Sequence, residues 1–175
     1  MIMICERQNA ISNGVNFLCK NQLSYGEFQT LQSPNVSMSE ARTCWSSSPY
    51  ITTFVLHSLS FFKGYSIVDN MIRKSVKFLQ EEMERPGVWR FYTRQNKKIV
   101  YVNGNFRKVD LGIVPDFDDT ACVSHALKSN GVDFPDNKIL FYNNQTSDGI
   151  FLTWFLSDTS LIGKKDYCPP HNNIC

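Results

Sequence analysis

Three segments of this chain align on a glycine, and a chain that repeats itself folds as a stack of like units. The first segment reads Phe17-Leu18, then Gln22, then Gly26-Glu27-Phe28. The second reads Phe78-Leu79, Met83 and Gly87-Val88-Trp89, and the third Leu140-Phe141, Gln145 and Gly149-Ile150-Phe151. The glycines lie 61 and 62 residues apart. In each copy an apolar-periodic stretch precedes the glycine, which predicts amphipathic helices over Ile11–Gln22, Met71–Met83 and Asn137–Gln145. The glycine supplies a positive φ where each helix ends. The aromatic two residues later is expected to tuck against the neighbouring unit. The glutamine is placed to hydrogen-bond exposed backbone or the next repeat.

A second, more apolar helix lies between successive copies. The run Tyr50 to Leu59 matches Asp118 to Leu127 at an offset of 68, pairing Thr52 with Thr120, Val55 with Val123, His57 with His125 and Leu59 with Leu127. Gly64 and Gly131 follow as terminators. The unit is therefore an outer helix, a glycine turn and an inner helix, and stacked helix pairs of this kind curve into solenoids or closed rings. The expected fold is all-α, an incomplete α/α toroid. One partial domain spans 1–175, with units at about 9–64, 66–131 and 134–175. The third inner helix is due near Cys175, so the chain is expected to be truncated at its C-terminus.

The offset of 68 exceeds the repeat by seven residues, which fall in the stretch Lys98–Val109. Two apolar-rich runs around Asn103-Gly104 predict a small β-hairpin there. Arg90, Arg94, Lys97, Lys98, Arg107 and Lys108 give 90–108 six positive charges and no acid. That suits a phosphate or RNA surface or, more simply, a solvated hairpin rim.

Composition narrows the function classes. A net charge of +2 excludes a globally basic nucleic-acid binder. With 42% hydrophobic and 19% charged residues the chain is globular. Aromatics at 13% suit either a cavity or a packed core. No apolar run is long enough to cross a bilayer, and Met1–Cys5 runs directly into Glu6, Arg7 and Gln8, unlike a secretory signal. Cys5, Cys19, Cys44, Cys122, Cys168 and Cys175 form no CxxC pair and are expected to be reduced thiols in a cytoplasmic protein. Sequons at Asn35 and Asn144 carry no weight without a secretory route. Cys168, His171 and Cys175 could hold a metal, but a loose chain end is the better account of them.

The motif Asp116-Phe117-Asp118-Asp119-Thr120-Ala121 opens the second inner helix. Acids at a helix N-terminus cap it and complement its dipole. The equivalent start, Ser48-Pro49-Tyr50-Ile51-Thr52-Thr53, has no carboxylate, and Ser48 is expected to cap it. Three acids in four residues exceed that need. Clustered carboxylates bind a divalent cation or share protons so that one acid stays protonated near neutral pH. Facing an apolar interior, the second use is favoured, and such a group can act as a general acid.

The glycine segments at 17–28 and 78–89 resemble the repeat motif of squalene/hopene-type cyclases, with Phe28 in place of the usual tryptophan and Met83 in place of glutamine. The acidic string resembles the Asp-x-Asp-Asp-Thr-Ala signature of class II terpene cyclases. The resemblance runs from about Asn9 to Phe155. It implies protonation-initiated, isomerase-type cyclisation of a linear isoprenoid, squalene or a prenyl diphosphate. Asp118 would be the general acid, with Asp116 and Asp119 orienting its proton and stabilising its conjugate base. It implies no cofactor, with Mg²⁺ entering only beside a diphosphate substrate. It also implies further C-terminal repeats or a second toroid domain as partner, and peripheral membrane contact for a fully apolar substrate. As a fragment the chain need not turn over alone. Asp166-Tyr167-Cys168 resembles part of a protein prenyltransferase zinc site, but Pro169-Pro170-His171 departs from it.

Two other functions compete. A non-catalytic toroid module could bind an isoprenoid or a protein with the same scaffold. A haloacid-dehalogenase-like phosphatase also carries Asp-x-Asp-x-Thr, with Asp116 as nucleophile and Asp118 as acid/base. It needs a buried strand before the motif and a doubly wound sheet around it, and Gly112 to Pro115 is a poor strand. His57 and His125 occupy matching sites, which repeat packing explains; a relay from Asp118 to His125, two helical turns on, is the functional alternative.

Overall fold

A computed structural model describes residues 2–33, 44–93, 98–102, 105–109 and 115–155. The described chain is mostly helical: α1 (Ile2–Asn21), α2 (Pro49–Ser60), α3 (Ser66–Glu81), α4 (Phe117–Ser129) and α5 (Lys138–Asn143). Two short antiparallel ribbons join them, β1 (Thr30–Gln32) with β2 (Cys44–Ser46) and β3 (Lys98–Val102) with β4 (Asn105–Val109). Helix α3 shows why the periodicity was legible: Val68, Met71, Ile72, Ser75, Phe78 and Leu79 are its buried residues, three or four apart. It packs on α1 and α4, while α2 packs on both α3 and α4.

The repeat is visible atom by atom. At each turn the glycine N–H donates to the residue three before it: Gly26 to the Leu23 carbonyl at 2.9 Å, Gly87 to Glu84 at 2.7 Å and Gly149 to Thr146 at 2.9 Å. The bond back across each turn recurs as well, from Leu23 N to Glu27 O, Glu84 N to Val88 O and Thr146 N to Ile150 O. The three glycines have φ of 107°, 104° and 82°, the left-handed region that a Cβ disfavours. Gln22 Nε2 donates to the Met71 carbonyl at 2.9 Å and to Ser75 Oγ at 3.0 Å, tying the first unit to the next outer helix as expected. Gln145 Nε2 reaches only its own turn, donating to the Gly149 carbonyl at 2.9 Å.

The matched threonines hold each turn to the inner helix that follows it. Phe28 N donates to Thr52 Oγ1 at 3.1 Å, and Trp89 N to Thr120 Oγ1 at 3.0 Å. Units also stack the same way. Thr93 N donates to Ser47 O at 3.4 Å, and Phe155 N to Pro115 O at 3.2 Å; both donors lie six residues past their glycine, both acceptors two before an inner helix. Phe28 and Trp89 are core residues, with Trp89 Nε1 donating to the Leu79 carbonyl at 2.7 Å. Leu59 and Leu127, the matched inner-helix leucines, are fully buried beside them.

The predicted hairpin is present, with Lys98 paired to Val109 and Val102 to Asn105; its turn, Asn103-Gly104, lies outside the described residues. The β1–β2 ribbon was not expected, because three-residue strands carry no readable alternation. Both ribbons occupy the same connection, between a glycine turn and its inner helix, and β2 lies against β3. Among the described residues no helix is long and apolar enough to cross a membrane. The Asn35 sequon, the segment around Cys168, His171 and Cys175, and the expected third inner helix lie outside the described residues. Asn144, the other sequon, is buried with its side chain donating to the Leu140 carbonyl at 2.9 Å.

A Cβ on Gly26 would stand 2.1 Å from the Lys74 carbonyl oxygen, whereas one on Gly64, at a similar φ of 98°, would meet nothing within 4 Å. Gly64→Ala is therefore expected to cost only the backbone strain, about 1–2 kcal/mol. Gly26→Ala adds a backbone clash and should cost more than about 3 kcal/mol. Urea unfolding midpoints of the two variants check this; equal losses would refute the close approach of turn and helix.

Candidate active site

The acidic motif sits where two repeat contacts meet. Asp116 is the N-cap of α4, extended at φ −122° and ψ 169°, and its carboxylate accepts from Asp119 N at 3.2 Å. Its own N–H donates to the Trp89 carbonyl at 3.3 Å, from the preceding turn. Across from it Trp154 forms an antiparallel bridge, with Phe117 N donating to Thr153 O at 2.7 Å. Residues three apart share a helix face, so Asp116 and Asp119 are both buried while Asp118 points to solvent.

Burial sets the charges. Both carboxyl oxygens of Asp119 lack a hydrogen-bond donor, and the side chain is 1% exposed. Two ionised carboxylates facing each other would repel; one proton turns the contact into a hydrogen bond. Asp119 is pushed up to about 10 by burial, by its hydrogen bond to Asp116 and by the neighbouring acids, so the pair retains a proton at neutral pH. Asp116 rises to about 6, through burial and despite the Asp119 hydrogen bond that favours its ionised form. No basic side chain pairs with any of the three acids among the described residues. Their oxygens lie within 4.8 Å of one another, close enough for the three to hold a divalent cation between them.

Groups from α2 and from α4 itself complete the surroundings. Burial raises the Tyr50 hydroxyl, and Cys122 and the three acids push it further. Burial likewise raises the Cys122 thiol, with Asp119, Asp118 and Asp116 adding to it. The Tyr50 ring meets Phe54 edge-on at 4.8 Å and Phe91 at 6.1 Å. Phe117, on the far side of Asp116, meets Phe141 and Phe151, each at 4.5 Å. Between α2 and α4 runs an open groove of about 600 Å³, lined by Phe54, His57, Phe61, Cys122 and His125 among others. The two histidines are exposed in matched positions, and His125 approaches Ser129 Oγ at 3.5 Å.

The first unit corrects one expectation. Ser48 occupies the N-cap of α2, but its side chain makes no capping bond and its Oγ is buried without a partner. Glu27 of the preceding turn, fully buried, accepts instead from the N-cap residue itself, taking Ser48 N at 3.1 Å and the Ser47 hydroxyl. A carboxyl therefore stands at the head of both inner helices, from the turn in one unit and from the helix in the other. The sequence held a signal for Glu27: an acid where the other copies carry Val88 and Ile150. Arg90 is also withdrawn from the basic stretch, since its guanidinium forms a two-pronged ion pair with Glu84. Arg94 and Lys97 lie outside the described residues.

Comparison with protein-family models, with curated proteins and with solved structures gave no match.

The raised acids make stability fall with pH. The unfolded chain releases the Asp119 proton near pH 4, whereas the folded chain holds it until about pH 10, so stability declines as pH rises between those values. Asp116 adds to the decline between about pH 4 and 6. Asp119→Asn, a neutral mimic of the protonated acid, is expected to flatten this slope and to match or exceed the parent at pH 8. Urea unfolding across the pH range tests it; a variant markedly weaker at pH 8 would show Asp119 to be ionised.

Proposed function

We propose that the chain is a class II terpene cyclase-like part of an α/α toroid, with α1 and α3 in the outer layer and α2 and α4 in the inner one. Its acids would start carbocation cyclisation by protonating an alkene or epoxide of a linear isoprenoid, squalene or a prenyl diphosphate. The observation that carries this is the buried pair of carboxyls, Asp116 and Asp119, at the head of α4, with an exposed third acid beside it. The identical stacking of successive units supports the toroid.

The roles follow from burial. Asp119, buried beyond a substrate's reach and raised by that burial, serves as a neutral hydrogen-bond donor within the cluster. Asp118, the member open to solvent, is the general acid that a substrate can reach. Asp116 and Asp119 orient its proton and stabilise the charge it leaves. Tyr50, Phe54 and Phe91 are the rings placed to stabilise a cation on their faces. A diphosphate substrate would bring Mg²⁺ with it, which the carboxylates could share. The partners are the isoprenoid and the further repeats or second toroid domain that would close the cavity, with peripheral membrane contact for an apolar substrate. The free thiols of Cys19 and Cys122 suit the cytoplasm.

The second reading is a module that binds an isoprenoid or a protein without turnover. The groove between α2 and α4 favours it, since Phe61 on its rim is 74% exposed and an open cleft does not exclude the water that quenches carbocations. The phosphatase loses its support: Asp116 follows no parallel strand among the described residues, whose sheets are two-stranded ribbons.

The test is incubation of the protein with squalene, farnesyl diphosphate and geranylgeranyl diphosphate, with products identified by mass spectrometry. Cyclised product is expected, reduced at least about 100-fold by Asp118→Asn. A folded protein that retains an isoprenoid and yields no product would move the function to binding. Phosphate release from phosphomonoesters would bring back the phosphatase.

A further inference from the structure

The three glycine turns are made alike but not covered alike. At the first, Glu27 and Phe28 are 0% and 4% exposed; at the second, Val88 and Trp89 are 5% and 0%. At the third, Ile150 and Phe151 are 64% and 44% exposed. The bonds within the third turn repeat those of the first two, so a different local conformation does not explain the difference. What distinguishes the first two is the inner helix that follows. Thr52 and Thr120, each the fourth residue of its helix, accept the N–H of the turn aromatic. The Phe151 N–H finds no acceptor among the described residues.

We infer that the third turn is a docking site for one further helix, in the slot that α2 and α4 fill at the first two turns. The two filled slots specify the occupant. It is an apolar helix with threonine or serine at its fourth position and leucine seven residues later, as with Thr52 and Leu59 and with Thr120 and Leu127. The hydroxyl takes the Phe151 N–H, and the apolar face covers Ile150 and Phe151. Among the described residues a second copy of this chain offers no free helix of the pattern, because its own α2 and α4 are committed to their own turns. The partner is therefore another helical repeat element. This surface belongs to the repeat stacking that the proposed function shares, and is independent of its chemistry.

Amide hydrogen exchange read by NMR tests the inference without any turnover. In the chain alone, Phe151 should exchange at least about tenfold faster than Phe28 or Trp89. A peptide of residues 46–64 is then supplied, both free and tethered to the C-terminus through a Gly/Ser linker that raises its effective concentration. The tethered form should slow Phe151 exchange about tenfold, and Thr52→Val in the peptide should remove most of that effect. Ile150→Asp in the chain should abolish the response while Trp89 stays protected, which certifies the fold. Four results would overturn the inference: Phe151 protected in the chain alone, no slowing with the tethered peptide, an unchanged effect with Thr52→Val, or protection that arises from self-association of the chain. None of them alters the outcome of the isoprenoid assay, so the two proposals fail separately.

Discussion

A threonine hydroxyl on the inner helix, accepting the backbone N–H of an aromatic just past a left-handed glycine, is the contact on which this architecture turns. It satisfies a donor that the turn cannot satisfy for itself, in a buried place where an unpaired N–H would cost about 1–3 kcal/mol. Because the hydroxyl and the aromatic belong to different elements, the bond also fixes where the inner helix starts relative to the outer one. The core forms around that alignment, with Trp89, Leu79 and Leu127 completely buried at the second unit. Stability of such an array is a sum of units and the contacts between neighbours, so each hydroxyl contributes to both.

The acid cluster is built on the same alignment. Asp116 is held by the Trp89 carbonyl from one unit and bridges Trp154 from the next, and its side chain and that of Asp119 are buried. Two acids buried at i and i+3, with no basic side chain beside them among the described residues, favour a shared proton. The neutral Asp119 and the exposed Asp118 are consequences of where a helix begins. Aromatic clusters form at two of the neighbouring residues, Tyr50 with Phe91 and Phe117 with Phe141.

Much of this was legible in the residues, because periodicity and glycine spacing report on backbone directly. The outer and inner helices fall where the apolar pattern put them, within a few residues at most ends; α1 is the exception, beginning at Ile2 rather than Ile11. The matched Thr52 and Thr120 were visible as a coincidence, but their task as acceptors was not, since it depends on a backbone group 24 or 31 residues away. Ser48 misled for the same reason: local preference names it a cap, yet its hydroxyl makes no capping bond and its own N–H goes to Glu27 from outside the helix. The resemblance placed the acid on Asp118 by its column in a motif; only burial distinguishes it from Asp119.

Glu27 has a wider consequence. The two inner helices begin at a carboxyl in each case, yet one is supplied by position 27 and the other by positions 116 and 119. The scaffold thus assigns a negative or proton-bearing group to a place in space and leaves its address along the chain free. Aligned column by column, the units disagree at Glu27 against Val88 and at Tyr50 against Asp118; folded, each places a buried carboxyl at the start of the helix that follows its turn.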